Sequence, residues 1–91
     1  MLENSTILVT GGTGSFGKKF VSMTLKQYSP KSIIIFSRDE MKQWSMAEKY
    51  QNDRRVNFII GDVRDKERLS RTLDGVDFVV HAAATKIAPT A

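Results

Sequence analysis

The chain has 91 residues, 41% of them hydrophobic and 26% charged, with a formal net charge of +4. At that length it holds at most one small domain, burying only about 60–65% of the surface its unfolded form exposes. With no cysteine and one histidine, His81, it excludes disulfides, thiolate metal sites and a histidine-based metal cluster, so no metal is expected.

No apolar run approaches the roughly 20 residues that span a bilayer. Residues 1–5 lack the basic-then-apolar character of a secretory signal. No membrane partner is expected, and the expected compartment is the cytoplasm. The basic residues are interleaved with acids, as in Arg64-Asp65-Lys66-Glu67-Arg68. A nucleic-acid footprint would be clustered on one face, so no nucleic-acid partner is expected. A mildly basic surface equally serves a phosphate-bearing small ligand.

Four short β-branched apolar runs, at residues 6–10, 32–36, 56–60 and 76–80, read as strands. They are too continuous for half-exposed hairpin strands, which alternate; buried parallel strands read this way. Between the first two, residues 16–28 carry Phe16, Phe20, Val21, Met23 and Leu25 as an imperfect apolar stripe, closed by Ser29-Pro30. A second helix is expected from about Asp39, with Met41, Trp44, Ala47 and Tyr50 at helical spacing. A third, about residues 66–73, closes at Asp74-Gly75, where glycine suits the C-cap. The expected fold class is α/β: a Rossmann-type doubly wound parallel sheet, β-α-β-α-β-α-β, with strand order 3-2-1-4.

The stretch Thr10-Gly11-Gly12-Thr13-Gly14-Ser15-Phe16-Gly17 follows the first strand and opens the first helix. In that context a glycine pattern reads as a cradle for a dinucleotide pyrophosphate. Gly11 allows the tight turn, Gly14 lets the backbone approach the phosphates, and Gly17 lets helix and strand pack closely. Helix-start N–H groups then face the phosphates, and Thr13, Ser15 and Phe16 can add hydroxyl or main-chain donors.

About 20 residues beyond the glycines a Rossmann domain meets the adenosine ribose, an acid suiting NAD and an arginine suiting the 2′-phosphate of NADP. Here Ser37 can donate its hydroxyl, Arg38 a fork of N–H bonds and Lys42 further charge, which favours NADP over NAD. Asp39 can bind a ribose hydroxyl or N-cap the second helix. After the third strand, Asp62 can accept from the adenine amino group, or cap its own loop, and Val63 can pack on the ring. Asp65 suits the cap of the next helix. Small side chains at Ala82, Ala83 and Ala84 let a cofactor lie against the backbone, and His81 reads as a structural histidine.

Together GGTGSFGK, SRDE, GDVRDKERL and HAAA-x-K-x-x-P resemble the extended short-chain dehydrogenases/reductases. Within them the resemblance is to the inverting UDP-N-acetylglucosamine 4,6-dehydratases of pseudaminic acid and polysaccharide biosynthesis, and it runs over essentially the whole chain. It implies a tightly held NADP that cycles within one turnover on a UDP-sugar, in a homo-oligomer. Hydride leaves C4, water is eliminated across C5–C6, and hydride returns at C6; the inverting members also invert C5. The resemblance places Gly11, Gly14, Ser15, Phe16 and Gly17 at the phosphates and Ser37, Arg38 and Lys42 at the ribose phosphate. It places Asp62 and Val63 at the adenine, and Lys86 and Pro89 toward the nicotinamide and sugar.

That family's Tyr-x-x-x-Lys pair and substrate domain fall beyond Ala91, so the chain is expected to be the N-terminal part of such an enzyme and inactive alone. Four positions after Tyr28 and Tyr50 stand Ser32 and Arg54, not lysine, so no residue here receives a catalytic role. The alternatives are another extended reductase, such as a nucleotide-sugar epimerase, and a non-catalytic dinucleotide-binding module.

Overall fold

The structure is a computed structural model that describes residues 2–82. Its elements run β1 (Thr6–Thr10), α1 (Ser15–Gln27), β2 (Ser32–Ser37), α2 (Glu40–Lys49), β3 (Val56–Ile60), α3 (Lys66–Thr72) and β4 (Phe78–His81). All strand pairings are parallel, in the order β3-β2-β1-β4. This is the Rossmann-type arrangement expected from the alternation of apolar runs and helical stretches.

Register explains the core. Ile7 pairs with Ile33 and Val9 with Ile35, so these four side chains share one face of the pleat. They are fully buried and cluster with Val21 of α1, Met46 of α2 and Val56 of β3. The first two helices therefore cover that face. The opposite pleat carries Leu8, Thr10 and Phe36, all buried, while α3 buries none of its own residues.

Two helix faces differ from the sequence expectation. In α1 the buried positions are Gly17, Val21 and Thr24, with Phe20 and Leu25 packed beside them; Phe16 and Met23 are exposed. In α2 the buried residues are Gln43 and Met46, whereas Met41 and Trp44 are 78% and 68% exposed. The reason is geometric. A three-residue step falls about 60° short of a full turn, so Met41 and Tyr50, three such steps apart, point to opposite sides of the helix. The true stripe runs through positions 43, 46, 47 and 50.

The fourth strand starts later than its apolar run implies. Gly75 takes φ +81°, Val76 N–H closes a turn on the Leu73 carbonyl, and pairing with β1 begins at Phe78. Asp77 instead clamps the start of β1: its carboxylate accepts from Thr6 N–H at 2.8 Å, and its own N–H donates to the Thr6 carbonyl at 2.8 Å. Among the described residues no helix is long and apolar enough to cross a membrane.

Candidate functional site

The carboxyl ends of β1, β2 and β3 open into a cleft of about 1460 Å³. Its floor is the loop from β1 to α1. Gly11 adopts φ +65°, a left-handed conformation that glycine reaches without steric cost, and its N–H donates to the Phe36 carbonyl at 2.8 Å. Gly17 is buried behind the loop rather than in the cleft. A β-carbon there would stand 2.5–2.6 Å from the backbone of Gly12, so helix and loop touch main chain to main chain. Gly12 was not singled out in the sequence, although a side chain on it would collide with Ile35.

Gly14 caps α1 without a side chain, and the first turn carries no acid. The other two helices are capped: Asp39 accepts from Lys42 N–H at 3.0 Å, and Asp65 from Arg68 N–H at 3.2 Å. The start of α1 thus presents its N–H groups and partial positive charge to the cleft without a side-chain partner. Ser15 and Phe16 line the same wall; the Phe16 ring is exposed and stacks with Phe20 at a centroid distance of 6.4 Å.

The second wall is the end of β2. Ser37 is buried, and its hydroxyl lies 3.2 Å from that of Thr13 and accepts from Asp39 N–H at 3.0 Å. These two hydroxyls tie the first loop to the second. Arg38 and Lys42 are exposed and line the cleft. Of the two roles open to Asp39, the structure displays the helix cap.

The third wall is Gly61-Asp62-Val63-Arg64. Asp62 caps its own loop by accepting from Arg64 N–H at 2.9 Å and pairs with the Arg64 guanidinium at 2.8 Å. Arg38 reaches the same carboxylate at 3.6 Å. Hydrogen bonds from the Arg64 side chain, then its backbone N–H, with smaller help from the charge of Arg38, hold the Asp62 carboxyl down to about 2. It stays ionised at neutral pH. Arg64, which lines the cleft through this pair, was not singled out in the sequence.

On the far side, Val80, His81 and Ala82 complete the lining. His81 Nδ1 lies 2.6 Å from the Thr10 hydroxyl, which pins the end of β4 to the end of β1. Of the residues singled out in the sequence, Gly11, Thr13, Gly14, Ser15 and Phe16 meet Ser37, Arg38, Asp39, Lys42, Asp62, Val63 and Ala82 around one cleft. Ala83, Ala84, Lys86 and Pro89 lie outside the described residues.

The family model of the polysaccharide biosynthesis protein matches residues 7–91. The chain belongs to this family. It is 54% identical over all 91 residues to a UDP-N-acetylglucosamine 4,6-dehydratase (inverting) of Campylobacter jejuni, covering 27% of that protein. It is 46% identical over 93 aligned residues to a UDP-glucose 4-epimerase of Rickettsia bellii, with 99% of this chain and 27% of that one covered. Among solved structures, Pen from Bacillus thuringiensis superposes with a TM-score of 0.87 at 34% identity, covering 94% of this chain and 26% of that one. A dTDP-glucose 4,6-dehydratase from Bacillus anthracis, in complex with NAD, superposes at 0.73 and 28% identity, covering 88% and 27%. The chain therefore spans about a quarter of the length of the family relatives it matches.

Proposed function

We propose that this cleft holds the adenosine and pyrophosphate of NADP, and that the chain is the cofactor-binding part of an inverting UDP-N-acetylglucosamine 4,6-dehydratase. The observation that carries the cofactor reading is the uncapped start of α1 at Gly14, set across one cleft from Arg38 and Lys42. Anions gather at helix N-termini, and an arginine at the end of the second strand suits a ribose phosphate.

The residues fit the group. The Cβ position of Gly14 meets nothing nearer than the Gly11 carbonyl at 3.5 Å, so main chain and phosphate can meet there. Arg38 and Lys42 supply charge for the 2′-phosphate. Asp62 would accept from the adenine amino group and Val63 would pack on its ring, with Ala82 lining the same cleft. The bound nicotinamide supplies hydride exchange with the sugar. These residues bind and orient; none of them is given a proton-transfer role. Sequence identity to the Campylobacter dehydratase supports the choice of sugar and reaction.

The test is product analysis of the full native chain carrying these residues, incubated with UDP-N-acetylglucosamine in deuterated water. A 4-keto-6-deoxy product with deuterium at C5 is expected, because elimination across C5–C6 exchanges that proton. A C4 epimer with no loss of water would instead establish epimerisation, the second reading, which the Rickettsia relative favours.

A further inference from the structure

On the inward stripe of α2, among apolar neighbours, one position is an amide. Gln43 is 4% exposed, and its Nε2 donates to the Ile59 carbonyl at 2.8 Å and to the Ser37 carbonyl at 3.2 Å. Both partners are acceptors, so the amide must turn its NH₂ toward them. Burying an amide is unfavourable unless its hydrogen bonds are made, and here the bonds run to the carboxyl ends of two adjacent strands. The Ser37 carbonyl also accepts from Gly61 N–H at 2.9 Å, while the Ser37 hydroxyl reaches Thr13. A continuous hydrogen-bonded path therefore joins all three loops of the cleft, and Gln43 braces the junction of the second and the third beside the direct Gly61–Ser37 bond.

We propose that Gln43 is a positioning residue for the adenosine half of the dinucleotide. It does not line the cleft. It acts by bracing, from behind the paired strand ends, the spacing of Ser37-Arg38, on the ribose side, from Gly61-Asp62, on the adenine side. The inference rests on the reading of the cleft as a dinucleotide site.

Adenosine 2′,5′-bisphosphate is the suitable probe, since it carries the adenine and the ribose phosphate without the nicotinamide. Calorimetric titration of the full native chain carrying these residues compares wild type, Gln43→Met and Met46→Ala. Met46 is a buried neighbour on the same helix and controls for general loosening. Gln43→Met removes two hydrogen bonds at nearly constant volume, and its affinity is expected to fall about tenfold. Met46→Ala, melting at least as early, is expected to stay within about twofold of wild type, because Met46 packs in the apolar cluster and does not line the cleft.

Equal binding by wild type and Gln43→Met overturns the role of Gln43 and leaves the cleft reading standing, as does an equal loss in Met46→Ala. Failure of the wild type to bind overturns the cleft reading and this role with it. Should Gln43→Met not fold, glutamine-selective ¹⁵N labelling of the wild type decides. The Gln43 side-chain amide signals are expected to shift on titration, and unmoved signals overturn the proposal.

Discussion

Gly17 in the first turn of α1 stands against Gly12 so closely that a β-carbon on Gly17 would lie 2.5 Å from the Gly12 Cα. The β-carbon is held rigidly by its own Cα and the Gly12 atom belongs to main chain, so neither can swing aside. Gly17→Ala is expected to cost about 1–3 kcal/mol, the usual range for overpacking, read as a lower midpoint in urea unfolding. Gly14→Ala makes the contrast. Its new methyl meets only the Gly11 carbonyl, at 3.5 Å, so no overpacking is expected and the loss should be limited to the poorer N-cap that alanine makes. That methyl would stand in the cleft where a phosphate is proposed, and dinucleotide affinity is expected to drop. If both variants lose stability equally, the distinction between packing glycine and binding glycine fails.

In the proposed reading, Arg38 is the residue that separates the two cofactors. Its guanidinium is 68% exposed and rests 3.6 Å from Asp62, a surface pairing that contributes little to stability. Arg38→Ala is therefore expected to leave the melting temperature nearly unchanged. A charged hydrogen bond to a phosphate is worth about 1.5–3 kcal/mol, so NADPH binding should weaken by about tenfold to a hundredfold. NADH binding, measured by the same fluorescence titration, should be nearly unaffected. An equal loss for both would remove the 2′-phosphate from this end of the cleft.

The Asp62 carboxyl gives a pH prediction with a defined sign. Its value falls from 3.8 to about 2 because Arg64 donates to it from side chain and backbone, with Arg38 adding charge. A depressed carboxyl contributes stability that is complete above its unfolded value and disappears as pH falls through the folded one. The window is therefore between about 4 and 2, and Asp62 itself adds no pH dependence near neutrality. Carboxyl NMR should find its midpoint near 2, and Arg64→Ala should return it toward 3.8. A midpoint that does not move in that variant would show that Arg64 is not the cause.

The second helix tests the packing most directly. Trp44 is exposed and Met46 is 6% exposed, although by residue type the tryptophan is the stronger candidate for a core. Trp44→Lys is expected to change stability by no more than about 0.5 kcal/mol, whereas Met46→Ala should cost about 2–5 kcal/mol. Denaturant melts of the two variants decide between the two helix faces.

That helix also marks where the sequence stops being legible. The order of strands followed from continuous apolar runs separated by helix-length segments. The glycine loop followed from its place between a strand and a helix. Rotation about a helix axis did not follow, because Met41, Trp44 and Ala47 offered an apolar spacing that drifts around the cylinder, while the inward Gln43 carries a polar label. Its burial depends on carbonyls from β2 and β3, which are distant in sequence. Gly12 was hidden for a similar reason: its neighbours Ile35 and Gly17 come from other elements. Arg64 looked like one more dispersed surface charge; its partner Asp62 stands only two residues away, and it is the fold that brings this local pair to the cleft beside Arg38. Local chemistry was readable; pairings across the fold were not.

Leaving one helix end unfinished has a consequence for the life of the protein. The backbone donors that open α1 find no side-chain cap at Gly14, so an anion settling there would complete a piece of secondary structure as well as fill a site. Whatever binds only the folded form stabilises it by mass action, about 2.7 kcal/mol at a hundredfold excess over the dissociation constant. The proposed cofactor would then set how long each molecule survives as well as what it does, and molecules made where that cofactor is scarce would be the first to unfold.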